Sequence, residues 1–488
     1  MRLLISNAAV VTVNDHDDIL EDAALVIDGQ WIRYVGPGHL APPGPYDRTL
    51  DAGRMVCVPG FINAHCHSPA NLRRGLLPGR PLEIWLFQQR SVSGHMEPED
   101  YYAAALLGAM EMLKTGTTTV LDHFPTSQAV PFHGAAEAIQ AMRELGIRHL
   151  MALTLSDKAF AETIPLEKVE ISRLGPTANL RGGAIRDAKT WLSVCERFIS
   201  DHHNPDRLTS CCPGPSAVQR CSDELLVGAA RLARQGGMPL HMHLAETAAQ
   251  KVMGLRLYGT SLVGHLHDLD ILGPNVSLAH SVWVDQEDID RIAASGAVPV
   301  HNPASNLRLG SGLAPLSQML SSGVQVALGT DGAASNDGQN MFDAMRLASL
   351  IHNPAIADYE RWITPLQVLR MATRWGAQAV GLPIGALTPG RLADVVLLKR
   401  DTPSFTPLND VVRQLVFCEN GSSVDTVIVN GEVVVEEGRL VRTREERILE
   451  MAERSARRLQ AGRGKEASAA SDEETVLRDM YLRTKETR

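Results

Sequence analysis

Aromatic residues are scarce in this sequence. Phe, Tyr and Trp make up 5% of its 488 residues, so few rings are available to stack on a planar ligand. Positive charge is not in surplus: 47 Lys and Arg stand against 56 Asp and Glu, a net charge of -9. That balance argues against a nucleic-acid backbone as the main partner. Cysteine is sparse and unpaired in pattern. Seven residues (Cys57, Cys66, Cys195, Cys211, Cys212, Cys221 and Cys418) form no CxxC, which argues against a disulfide framework or a cysteine zinc site. No apolar run reaches the ~18 residues of a membrane span, so no membrane partner is expected. The apolar start, Met1-Arg2-Leu3-Leu4-Ile5, is too brief for a signal peptide. These absences lead to the expectation of a cytoplasmic globular protein. The 44% hydrophobic content is enough for a large core.

What is present centres on Pro59-Gly60-Phe61-Ile62-Asn63-Ala64-His65-Cys66-His67-Ser68. Val56 and Val58 lead into it as an apolar run, which reads as a buried strand ending at a site. Residues i and i+2 of a strand point to one side, so His65 and His67 project together. Two adjacent imidazoles are half of a metal site. Taken alone, the pair is equally a couple of polar strand-end histidines.

The ends of the chain share a texture. Residues 1–55 hold short β-prone pieces with a turn at Asp28-Gly29, and residues 385–440 hold another set with a turn at Asn430-Gly431. Both dipeptides are hairpin signals. One small β-sandwich built from both termini is expected. Between them, residues 56–384 alternate strand-like and helix-like segments eight times. Such alternation implies a parallel sheet, and eight units favour an α/β fold of the (β/α)8 TIM-barrel type. Residues 441–488 differ again. A charged helix, a Gly/Ala/Ser-rich stretch over 461–472 and a second charged helix predict a solvated or oligomer-facing extension.

In barrels of this type the chemistry lies at the C-terminal ends of the strands. Unusual residues fall there: His65, His67, His123, His243 with Glu246 just beyond, His280, His301 and Asp331. Glycines flank Asp331 and allow close approach. Any one of these is more often a hydrogen-bonded rim residue. Together, imidazoles and one carboxylate form the ligand set of a catalytic zinc or iron with a position left for water. His241 shares strand parity with His243 and is expected to be packed beside the ligands.

Residues 59–68, His243-Leu244-Ala245-Glu246, Leu278-Ala279-His280, the stretch from His301 to Asn306 and Gly329-Thr330-Asp331-Gly332 resemble the amidohydrolase superfamily. The similar branch holds cytosine, guanine and S-adenosylhomocysteine deaminases and the s-triazine hydrolases. The resemblance covers roughly residues 1–440 and implies a metal-dependent barrel beside a composite β-domain. By motif it implies that His65, His67, His243 and Asp331 bind the metal. It implies Glu246 as the catalytic acid/base, with His280 and Asp331 orienting the water and taking its proton. Members with two metals use a carboxylated lysine on the fourth strand. Residues 208–213 contain no lysine, so one divalent ion, zinc or iron, is expected.

The implied reaction is attack of an activated water on an electrophilic ring carbon of a small N-heterocycle (purine, pyrimidine, pterin or s-triazine), releasing ammonia or an amine. Hydrolytic dechlorination or cyclic-amide opening at the same site is the alternative, and a non-catalytic scaffold a remote one. Related deaminases carry a stretch like residues 71–85 along the pocket, so Trp85 is a candidate to cover the substrate ring, although it could equally pack the loop. His123 and Asn306 are counted with it, although His123 at a strand end is equally a structural residue. Residues 219–224 replace the His-Ala-Pro-Tyr-type segment of the homocysteine-nucleoside deaminases, a departure at the expected pocket. A homodimer or higher homo-oligomer is the expected assembly.

Overall fold

The computed structural model describes residues 1–93, 96–166, 185–462 and 470–486. Eight parallel strands carry the core: Phe61–Cys66, Thr117–Phe124, Arg148–Leu155, Thr209–Pro215, Leu240–Leu244, Val276–His280, Val298–His301 and Ala327–Leu328. They are called the first to eighth core strands. The first four form one parallel sheet and the last four another. Every core strand is followed by helix before the next, from Pro98–Lys114 after the first to Met341–Leu350 after the eighth. The strands are buried along nearly their whole length, as parallel strands covered by helices must be.

Helix boundaries follow local chemistry. Ser222 caps the helix Asp223–Gln235, its hydroxyl accepting from the Leu225 amide. Gly146 ends Ala135–Leu145 at φ +80°, the left-handed conformation glycine adopts at no steric cost.

A nine-stranded sheet takes strands from both ends of the chain. Arg2–Val11, Ile19–Asp28, Trp31–Pro37, Arg48–Asp51 and Met55–Pro59 come from one end. Val395–Lys399, Val424–Val429, Glu432–Glu436 and Arg439–Leu440 come from the other. They meet where Met55–Pro59 runs antiparallel to Val395–Lys399. Leu3, Ile5, Leu25, Ile27, Val395, Leu397 and Ile428 pack into one apolar cluster. The two hairpin turns abut: a Cβ at Gly431 would lie 1.9 Å from the Gly29 carbonyl oxygen. This sheet is tied to the core by a buried pair, with the Arg148 guanidinium donating to both carboxylate oxygens of Asp394 at 3.1 and 3.0 Å. Asp394 also accepts from the Asn430 amide.

The structure differs from the sequence expectation at four places. Val56 and Val58 do not lead the first core strand. They belong to Met55–Pro59 in the terminal sheet, and the chain breaks at Gly60, where a Cβ would lie 2.1 Å from Thr118 Oγ1. The expected loop over residues 71–85 is partly helical, because Leu82–Ser93 is a helix that carries Trp85. The eighth strand, expected over residues 324–331, is only Ala327–Leu328, since Asp331 turns to φ +63°. The C-terminal extension is not a solvated tail. Its helices Glu445–Gly462 and Ala470–Glu486 bury Ile448, Leu459, Val476, Leu477 and Met480. The apolar residues recur at helical spacing among charges, which conceals them in a reading by composition. Most of the Gly/Ala/Ser-rich stretch, residues 463–469, lies outside the described residues.

Breaking a buried ion pair strands the remaining charge and costs about 3–5 kcal/mol. Asp394→Ala should therefore lower the unfolding free energy by about that amount, read from the urea midpoint. An unchanged midpoint would show that the pair does not hold the terminal sheet to the core.

Candidate metal centre and its pocket

The candidate residues converge at the C-terminal ends of the core strands. His65 lies one residue before the end of the first strand, fully buried, and His67 follows just past it on the same side. His243 comes from the fifth strand, His280 closes the sixth, and Asp331 lies beyond the eighth.

Backbone carbonyls set two of the imidazoles. The His67 Nδ1 donates to the carbonyl of His123 at 2.6 Å, and the His243 Nδ1 donates to the carbonyl of Ser216 at 2.6 Å. A carbonyl oxygen can only accept, so both protons sit on Nδ1 and both Nε2 atoms present lone pairs. Those Nε2 atoms lie 3.4 Å apart. Asp331 Oδ1 lies 3.3 Å from His67 Nε2 and 3.6 Å from His65 Nε2. His65 Nε2 is buried with no hydrogen-bond partner. Its Nδ1 contacts His241 Nε2 at 2.8 Å, and His241 Nδ1 contacts Ser277 Oγ at 2.7 Å. His241 is thus fully buried behind His65, packed against it.

Lone pairs and a carboxylate aimed at one point repel unless a cation lies among them. The donor set of three imidazoles and one carboxylate fits a divalent metal. Three ligand groupings among the described residues all share His65 and have their donor atoms within 4.8 Å of one another. Two of them, with His67 and His243 and with His280 and Asp331, take in the candidate ligands, and the third joins His65 to His123 and His241.

The backbone is bent to bring these groups together. Ala245, His280, Ser281 and Asp331 all have φ between +44° and +73°, which costs non-glycine residues of order 1–3 kcal/mol each. The Asp331 amide donates to the His65 carbonyl at 2.9 Å. Its side chain accepts from the Gly332 amide at 2.6 Å and from Ser305 Oγ at 2.5 Å. Gly329 permits the approach: a Cβ there would lie 2.4 Å from Asn302 Oδ1 and 2.9 Å from His65 Cβ.

Glu246 stands beside this cluster. Burial first, then the carboxylates of Asp331 and Glu83, pushes its pKa well above the ordinary carboxylate range. Its Oε2 lies 3.7 Å from His280 Nε2. The His280 Nδ1 donates to Asn306 Oδ1 at 2.8 Å, so His280 turns an unprotonated Nε2 toward Glu246. Burial lowers the pKa of His280 and holds that of His243 far below its usual value.

A cavity of about 230 Å³ opens over the cluster. His67, His243, Glu246, His280 and Asp331 form its floor, and Trp85 stands in its wall with Leu82, Phe160, Ile164 and Leu309. His123 also lines it. Its Nε2 donates to the Gly214 carbonyl at 3.0 Å, and burial drives its pKa down to about 3. Asn306 is placed behind His280 rather than among the cavity-lining residues. Gln219 and Arg220, from the segment that departs from the deaminase pattern, do line the cavity.

Sequence reasoning missed several contributors. The Ser216 carbonyl carries no side-chain signal. Ser305, Ser277 and Glu83 are polar residues whose partners are distant in sequence. Glu83 accepts from Thr247 Oγ1 at 2.6 Å, and Gln250 Oε1 accepts from the Glu246 amide at 2.9 Å. A serine inside the apolar run Val276-Ser277-Leu278-Ala279 is the one local cue.

The amidohydrolase family model matches residues 56–434. The 5-methylthioadenosine/S-adenosylhomocysteine deaminase of Thermoanaerobacter pseudethanolicus is 32% identical over 94% of this chain and 99% of that protein. The solved structure of an atrazine chlorohydrolase from Arthrobacter aurescens TC1, complexed with zinc, superposes with a TM-score of 0.82 at 30% identity, covering 93% of this chain and all of that one. An adenosine deaminase from Xanthomonas campestris with bound zinc superposes with a TM-score of 0.82 at 26% identity, covering 94% and 98%. On the family match over most of its length and the deaminase relative, the chain belongs to the amidohydrolase family, metal-dependent hydrolases acting on carbon–nitrogen bonds.

Proposed function

We propose that the protein is a metal-dependent aminohydrolase that removes an exocyclic amino group, as ammonia, from an adenine-type nucleoside. The observation that carries this reading is a buried carboxyl, Glu246, 3.7 Å from His280 Nε2 and beside a three-imidazole, one-carboxylate cluster. The substrate class is supported by the named activities of the relatives, two of which act on adenine nucleosides. Supporting features for a closed (β/α)8 barrel are two seams between the four-stranded sheets. Ala217 bridges His243 at one, and the Asp331 amide donates to His65 at the other. The strands from residues 1–59 and 395–440 are taken as one β-sandwich unit beside it. Six buried free thiols support a reducing, cytoplasmic setting.

His65, His67, His243 and Asp331 would hold the divalent ion, zinc in the two solved relatives, which supplies the Lewis acidity that makes a nucleophilic water available near neutral pH. The remaining steps belong to the chain. Asp331, fixed by Ser305 and Gly332, orients that water and accepts its proton. His280 Nε2, fixed through Asn306, stands beside the reacting carbon. Glu246 gives its proton to the neighbouring ring nitrogen, so charge does not accumulate there; the proton taken by Asp331 then passes to the departing amino group, which leaves as ammonia, while the new hydroxyl returns a proton to Glu246 as the carbonyl forms. The apolar wall of Leu82, Trp85, Phe160 and Ile164 seats the base and excludes bulk water. A second reading rests on the likeness to the chlorohydrolase: the same groups would release chloride from a chlorinated ring. A panel of aminated and chlorinated purines, pyrimidines, pterins and triazines, scored for ammonia and chloride, separates the two.

Two outcomes follow for the site. Elemental analysis should find about one zinc or iron per chain, the single-centre stoichiometry of a mononuclear site, and His65→Ala or Asp331→Ala should lower it. An active preparation without metal would refute the ligand assignment. Glu246→Gln should lower kcat by about 10²–10⁴-fold with metal content near wild type. A raised carboxyl pKa also places a sign on the pH profile. Activity should fall as pH rises through the pKa of Glu246, because only the protonated form donates. Metal loss in Glu246→Gln would make Glu246 a ligand, and near-normal turnover would make it structural.

A further inference from the structure

The C-terminal helix Ala470–Glu486 lies beyond the span matched by the family model, yet it packs on the outside of the substrate cavity. Val476, Leu477 and Met480 are buried in one apolar cluster with Ile84 and Phe87, with Phe160 and Ile164, and with Ala249. Those partners come from three separate segments. Ile84 and Phe87 lie on the helix that carries Trp85 and Glu83. Phe160 and Ile164 follow the third core strand and themselves line the cavity. Ala249 lies on the helix after the fifth strand, beside Gln250, which accepts from the Glu246 amide. Polar contacts add to the apolar ones. Glu474 Oε1 lies 3.6 Å from Arg80 Nε, and its Oε2 accepts from Gln88 at 3.5 Å. Tyr481 and Thr484 border a second small cavity with Leu82, Glu83, Thr247 and Ser311.

We propose that this helix is a specificity-determining brace. Leu477 is a positioning residue that fixes the Trp85 helix and the Phe160–Ile164 segment against each other, and so sets the outer width of the substrate pocket. The proposed metal ligands are held by strand ends and backbone carbonyls instead, and Glu246 by its place past the fifth strand and by the Gln250 side chain. Loosening the brace therefore acts on binding of the part of the substrate beyond the reacting ring, and leaves the chemical step alone. Leu477 is fully buried in the cluster that also holds Ile84, Phe87, Phe160 and Ile164, so truncating it opens a cavity within that shared cluster.

The kinetic arm rests on the deaminase reading and the exchange arm does not. In the metal-loaded enzyme, Leu477→Ala should speed amide hydrogen exchange in residues 82–89 and 160–166 by at least about tenfold, a local opening with global folding retained. With a 5′-substituted adenine nucleoside as substrate, KM should rise about tenfold with kcat within about twofold, the pattern of lost uniform binding. Leu477→Met should restore both, and Met480→Ala should reproduce them should Leu477→Ala fail to fold. Ile448→Ala, a buried truncation on the other C-terminal helix, should change neither. Unaltered exchange in the two pocket segments, or a fall in kcat with KM unchanged, would overturn the proposal. An enzyme inert toward every nucleoside would defeat the substrate reading, while the exchange result would still decide the brace.

Discussion

The structure depends on two hydrogen bonds that fix imidazole protons. His67 and His243 each give the Nδ1 proton to a backbone carbonyl, of His123 and Ser216. Each then turns a lone pair toward the same point, 3.4 Å from the other and within reach of Asp331. Such an arrangement is self-repelling as bare protein and self-consistent around a cation. The strand ends must hold it against that repulsion. They do so with left-handed backbone at His280 and Asp331, a glycine at 329 where no Cβ fits, and helices packed behind every strand.

The same burial that gathers these histidines acts on the neighbouring carboxyl. Glu246 is buried near two other carboxylates, Asp331 and Glu83, and its pKa is raised well above the ordinary carboxylate range, burial being the largest cause. His280 lies beside it with its proton fixed away on Asn306. Burial thus shifts the two kinds of group in opposite directions, lowering the imidazole pKa values and raising that of the carboxyl, as the proposed division into ligands and proton donor requires. Removing the negative charge of Asp331 by pairing it with a metal would ease one cause of the Glu246 shift. Burial, the largest cause, would remain.

Much of this was legible in the sequence because it is local. Strand parity in His65-Cys66-His67 and the Asn430-Gly431 turn need only neighbouring residues, and each has its expected local geometry. What was not legible is long-range or hidden in composition. Nothing local separates Met55–Pro59 from Phe61–Cys66, since both are apolar. The break arises because Gly60 faces Thr118 from another strand. The Ser305 hydroxyl reaches Asp331 across 26 positions. The apolar stripe of Val476, Leu477 and Met480 is interleaved with charges, so a region that reads as solvated forms part of the pocket's outer support.

The most direct test of the account is a crystal structure of the zinc-loaded protein with the metal located by anomalous scattering. The account predicts one peak about 2.0–2.2 Å from the Nε2 atoms of His65, His67 and His243 and from an Asp331 oxygen, with Glu246 outside the coordination sphere and facing the cavity. A peak held by His241 or His123, a second peak beside it, or Glu246 among the ligands would contradict it.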